Sequence, residues 1–302
     1  MTFSLPTRPL ARSAAGVGLA LALAAGTTLL TGSAAHAQTV TSGSLAFSGD
    51  PGDWISGGQS YSYSTADQDR LDVTANPEHT AISVSLSGAH GDWWYLDLAA
   101  PEGQTLHAGT YTGATRSPFN GPAEPGLSLS GDGRGCNTLT GSFTITDVVY
   151  GPNGYVQTLD ASFEQHCEGW SAAARGEVHL SNPAPPAELA LGVGVAVDGK
   201  ASTLNGNATV HGTVTCNKPV AVNVSNRVTQ VSHRTLIRGS YGTTVNCTPG
   251  APVAWSASVT PEGTVPFQKG DVEVASTATA LDPDYQVNVT ATKTVAVHLT
   301  KG

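Results

Sequence analysis

The chain has 302 residues, with 14 basic and 23 acidic side chains and a formal net charge of −9. A chain so acidic is repelled by nucleic acid and by anionic membrane surfaces, so neither is an expected partner. It carries four cysteines and 35 glycines, and beyond residue 37 no segment shows a helical period, which excludes an α-helical bundle.

The first predicted element is an export leader. Arg8 and Arg12 give a positive start, an apolar run follows from Ala14 to Leu30, and small residues lead to Ala35-His36-Ala37. This pattern predicts a signal peptide over 1–37 and a mature chain beginning at Gln38. A membrane anchor fits less well, because the run is short, diluted by Gly and Thr, and followed directly by the cleavage pattern. The expectation is a secreted, extracellular protein with no membrane attachment after cleavage, in a compartment where disulfides persist.

Residues 38–182 form the first predicted domain, with 4 basic and 16 acidic side chains. Near its start lies Ser48-Gly49-Asp50-Pro51-Gly52-Asp53-Trp54-Ile55-Ser56-Gly57-Gly58, where Asp50 and Asp53 flank a Pro-Gly turn. Two such carboxylates with loop carbonyls make a candidate Ca²⁺ site, with Ca²⁺ the one cofactor the residues suggest. A tight turn capped by Asp is the plainer reading. Period-two runs then predict strands at 82–86, 94–98, 127–129, 139–145 and 155–163.

Within the second run, Trp94, Leu96 and Leu98 share a core face. Trp93 and Tyr95 then point outward beside Asp97, a platform for a sugar ring or an apolar patch of a partner, or else a surface covered by a loop. From Leu159 to Cys167 the alternation puts Leu159, Ala161, Phe163, Gln165 and Cys167 on one face, with Gln165 the polar exception. Glu164, His166 and Glu168 fall on the other. A Cys136–Cys167 bridge would bring Asp132 and Arg134 alongside. The cluster reads either as a polar binding or acid/base site, or as an Arg134 ion pair tying down a glycine-rich loop.

Asn182-Pro183-Ala184-Pro185-Pro186 is a stiff linker by composition. Residues 183–302, the second predicted domain, hold 8 basic and 7 acidic side chains and a single Trp, Trp255. Strands are expected at 189–197, 208–214, 220–224, 253–259, 272–278 and 287–297. Turns are expected at Asp198-Gly199, Pro152-Asn153-Gly154, Asn205-Gly206, Pro261-Glu262-Gly263 and Asp282-Pro283-Asp284.

The cysteines allow three pairings. Cys136 with Cys167 and Cys216 with Cys247 span equal separations on either side of the proline-rich break, which favours local bridges, each worth about 3.5 kcal/mol in the chain-entropy model. No C-x-x-C spacing supports metal binding by them. The fold class expected is all-β: two antiparallel β-sandwich domains, the second immunoglobulin-like, with one disulfide in each.

The strings D-P-G-D-W-I-S-G-G (50–58), W-W-Y-L-D-L-A-A-P-E-G (93–103), A-G-T-Y-T-G-A-T-R-S-P-F (108–119), S-G-D-G-R-G-C-N (130–137) and F-E-Q-H-C-E-G (163–169) resemble a recurring domain of secreted proteins from high-GC Gram-positive bacteria. The likeness covers most of 45–182 and implies no catalytic residue. The second domain resembles, more loosely, an immunoglobulin-like domain.

No nucleophile elbow and no H-E-x-x-H pattern is present. The functional expectation is a secreted, non-catalytic binding or structural protein whose first domain holds polysaccharide, cell envelope or an extracellular protein. The alternative is a glycan or ester hydrolase working through Glu164, His166 and Glu168 with Asp132.

Overall fold

The computed structural model describes residues 37–302, so the leader read over 1–37 lies outside the described residues except for Ala37. The described residues form nineteen strands and two single-turn 3-10 segments, with no α-helix. In the first part of the chain these are β1 (Gln38–Thr39), β2 (Ser42–Gly49), β3 (Ser60–Ser64), β4 (Arg70–Ala75), β5 (Ala81–Ser87), β6 (Trp93–Ala99), β7 (Gly109–Arg116), β8 (Gly126–Gly131), β9 (Leu139–Tyr150), β10 (Val156–Cys167) and β11 (Ala173–Ser181). The second part carries β12 (Leu191–Val195), β13 (Asp198–Ala201), β14 (Ala208–Cys216), β15 (Val220–Ser232), β16 (Thr235–Cys247), β17 (Val253–Val259), β18 (Gly270–Leu281) and β19 (Asn288–Lys301).

The first eleven strands hydrogen-bond in the order β1-β4-β5-β6-β8-β7-β9-β10-β11-β2-β3. Every pairing is antiparallel except β7 with β8, which run parallel over two residue pairs. Beyond that short join the sheet doubles over and its two halves face each other. Leu45 and Phe47 of β2, Trp94 and Leu96 of β6, and Leu159 and Phe163 of β10 all point into one core. Phe47 meets Trp94 across it, edge to face, at 4.7 Å. Each apolar side chain of this size stabilises by about 2 kcal/mol on full burial.

One polar group belongs to that core. Gln165 of β10 is fully buried, and its amide accepts from Leu129 N and donates to Leu129 O of β8, at 2.7 and 2.9 Å. Leu129 lies beyond the short β7–β8 pairing, where its backbone has lost a strand neighbour on that side. The Gln165 amide replaces that neighbour.

The remaining eight strands follow β12-β14-β13-β19-β18-β15-β16, with β17 on β14. They enclose a separate core that includes Val210, Val222, Val274 and Trp255. Trp255 stacks on Tyr241 at 5.8 Å and donates to Gly194 O at 3.1 Å. Both local disulfides form as the cysteine spacing predicts, Cys136–Cys167 and Cys216–Cys247.

Asp198-Gly199, expected as a turn, is instead the start of β13, which pairs antiparallel with β14 and parallel with β19. The glycine serves close approach: a Cβ there would lie 2.7 Å from the Leu299 side chain and 2.8 Å from Thr209 O.

Candidate functional site

The charged and aromatic segments singled out above converge on one end of the first sheet, and backbone geometry explains how. After β8 the chain reverses through Asp132 and Gly133, both at positive φ. Gly131 must be glycine, since a Cβ would strike Trp93 O at 2.2 Å and the Trp94 ring at 2.5 Å. The turn sends Arg134 back over the sandwich edge, where its guanidinium lies 5.1 Å from the Trp94 ring and 5.8 Å from the Tyr61 ring. It donates to Tyr61 Oη at 3.2 Å and sits 3.8 Å from Asp132. Asp132 in turn accepts from Trp93 N at 3.3 Å. Arg134 and Asp132 therefore tie this turn to β3 and β6.

The Cys136–Cys167 bridge fastens the same turn to the end of β10. Glu168 was expected beside Glu164 and His166, but β10 ends at Cys167 and Glu168 adopts φ +54. Its side chain swings away to accept from Asn137 N at 2.5 Å and Thr138 Oγ1 at 3.2 Å. These donors, Asn137 N first, hold its carboxyl below the usual range.

Glu164 and His166 do share the outer face of β10. His166 Nε2 lies 3.1 Å from Glu164 Oε1, and His166 Nδ1 lies 3.1 Å from Ser171 O. Opposite Glu164 on β11 is Arg175, which donates to Glu164 at 2.6 Å and to both Asp50 oxygens at 3.0 and 3.1 Å. Asp50 also accepts from Ala173 N at 3.1 Å. The Ala173 N–H foremost, then Arg175, lowers the Asp50 pKa; Arg175 first, then His166, lowers that of Glu164. Held ionised, these carboxylates accept hydrogen bonds.

Asp50 and Asp53, the pair expected at a Ca²⁺ site, belong to this end of the sheet. Asp50 is taken by Arg175 and Ala173, whereas Asp53 is buried and accepts from Ser56 N and Oγ at 2.7 and 2.6 Å. Each carboxylate has its own donors, and Asp53 Oδ1 is buried without a hydrogen-bond partner among the described residues. Among the described residues no group of three or more His, Cys, Asp or Glu is placed to hold a metal.

Trp93 and Tyr95 face outward as the alternation predicts, at 42% and 47% exposure and 5.5 Å between ring centroids. They occupy the outer face of β6, on the opposite side of the core from Glu164 and Arg175. The two candidate clusters are thus joined through the loops but lie on different faces. Asp97 shares the Trp93 face, accepts from Ser83 Oγ, and has its pKa raised by burial.

Sequence reasoning passed over two indoles as site residues. The loop joining β2 to β3 carries Trp54, and the loop joining β10 to β11 carries Trp170; they are 51% and 53% exposed. Because β11 pairs with β2 through Ala174 and Gly49, both loops emerge at the same end of the sheet. The signal available was a lone Trp inside a Gly-rich hairpin loop, at Asp53-Trp54 and Gly169-Trp170. Arg175, the hub of the ion-pair network, was missed because β11 itself was not predicted. In comparisons with known proteins, the chain matches no family model and no curated sequence.

Proposed function

We propose that the chain is a secreted extracellular binding protein that holds carbohydrate at this end of its first part, without catalysis. The observation that carries the reading is the pair of half-exposed indoles, Trp54 and Trp170, on neighbouring hairpin loops above the Asp50–Arg175–Glu164–His166 network. An indole held open at a loop tip leaves apolar area in water that a sugar ring can cover. Ionised carboxylates and a guanidinium beside it are hydrogen-bond partners for sugar hydroxyls. Trp93 and Tyr95 offer a second platform at the same end.

In this reading the two separate cores are two domains, 38–182 and 183–302, the first a recurring secreted module. Antiparallel β14–β17 on one side, β19–β18–β15–β16 on the other, and the β13 switch between them support an immunoglobulin-like second domain that acts as a spacer.

The test is retention on insoluble polysaccharides and on a glycan array. Wild type should be retained by at least one glycan, and Trp54→Ala or Trp170→Ala should each weaken it about tenfold, about 1.4 kcal/mol. If no glycan is retained, the carbohydrate reading is wrong; if both variants and Trp93→Ala bind as wild type does, this end is not the site.

A further inference from the structure

We infer that the ligand of this end is an uncharged polysaccharide chain, and that it runs from the two indoles down a trough on the outer face of β10, β11, β2 and β3. The inference rests on the carbohydrate reading above and adds to it a path and a charge class.

Two shallow open depressions lie in succession along β2. The nearer, about 390 Å³, is lined by residues that include Ala46, Ser48, Ser60, Arg175 and Glu177. The farther, about 480 Å³, is lined by residues that include Ser44, Ser64, Asp160, His179 and Ser181. Strand register places them in adjoining rows: Arg175–Ser48–Ser60, Glu177–Ala46–Ser62, then His179–Ser44–Ser64. From Ser42 to Ser48 the trough runs about 20 Å at roughly 3.3 Å per residue, which is a path for a polymer and not for one ring.

Its floor and walls differ in what they offer. The Ser44, Ser48, Ser60 and Ser62 side chains stand along the floor as small hydroxyls, and each can both donate and accept. The wall groups are already paired with one another: His179 Nδ1 lies 2.8 Å from Asp160, and Arg175 bridges Glu164 and Asp50. The open Trp54 and Trp170 loops stand at the head of this face, at the ends of the same four strands.

Charge sets the class. Asp50, Asp160, Glu164 and Glu177 stand against the single guanidinium of Arg175, within a part of the chain holding 16 acidic and 4 basic side chains. A uronic-acid or phosphate-bearing polymer would be repelled at this face; a neutral glycan meets no such barrier.

The experiment uses the full secreted chain and compares a neutral β-glucan, its short oligosaccharides and polygalacturonate by affinity electrophoresis and calorimetry. Ala46→Arg fills the middle of the trough, and Ser44→Gln narrows its far half as an independent variant, with thermal melting as the folding control. The expected result is binding to the neutral polymer and not to polygalacturonate, with at least a tenfold loss for the polymer in both variants and an unchanged affinity for a disaccharide. If polymer affinity survives both substitutions while Trp54→Ala or Trp170→Ala abolishes it, the trough is refuted and the indole reading stands. Equal binding of polygalacturonate refutes the charge class. No retention of any glycan refutes both.

Discussion

At Gln165 a single buried amide stands in for a missing strand neighbour, accepting from Leu129 N and donating to Leu129 O across the core. Replacing it with Leu keeps volume but leaves two buried backbone groups unpaired, each costing about 1–3 kcal/mol. Gln165→Leu should therefore lower the unfolding free energy by about 3 kcal/mol in denaturant titration, and a neutral result would contradict this account of the β7–β8 gap. A second residue-scale test lies in the other core. Asp282 is fully buried, accepts from Leu189 N at 2.6 Å and pairs with Lys218 at 2.9 Å. Despite the desolvation that opposes it, the Asp284 N–H foremost, then the Leu189 N–H and the Lys218 ammonium, lower the Asp282 pKa. A depressed folded value means the stabilisation is present above the ordinary carboxylate range near ~4 and is lost as pH falls through the folded value. Lys218→Met takes the ammonium from a buried carboxylate that keeps only its backbone donors, and should cost about 3 kcal/mol at neutral pH, with less loss in acid, where Asp282 takes up a proton. A penalty that does not shrink in acid would contradict the pairing.

At the scale of elements, glycine was the hardest residue to read. Gly199 beside Asp198 has the composition of a turn, yet it lets β13 lie against Leu299 and Thr209 while bridging β14 and β19. Gly199→Ala should cost about 1–3 kcal/mol through overcrowding. Circular dichroism and melting would show it, and a stability equal to wild type would mean the layers can part freely. Strands with bulky alternation were legible: the run at 253–259 coincides with β17, and Trp94, Leu96 and Leu98 are buried while Trp93 and Tyr95 are not. Strands built from small polar residues were not. Ser60-Tyr61-Ser62-Tyr63-Ser64 and Ala173–Ser181 follow Gly-containing loops, and their serines, glycines and charged residues dilute the hydrophobic signal. Missing β11 hid Arg175, and with it the partner that explains both Asp50 and Glu164. Likewise the β10 alternation located Glu164 and His166 correctly, but a positive-φ residue after Cys167 took Glu168 off that face, which period-two counting cannot register.

For the molecule as a whole, the asymmetry visible in the sequence acquires a location. Acidic and aromatic residues are concentrated in the first part of the chain, and the half-exposed tryptophans Trp54, Trp93 and Trp170 all emerge where the Cys136–Cys167 bridge binds a turn to β10. Trp94 and Trp255 are buried, one in each core. That division makes the indole N–H resonances a direct reporter on the proposed binding end. On titration of the uniformly ¹⁵N-labelled chain with a bound oligosaccharide, the Trp54 and Trp170 indole signals should shift saturably, while those of Trp94 and Trp255 stay in place. Saturating binding that leaves Trp54 and Trp170 unmoved would contradict the assignment of this end as the glycan site.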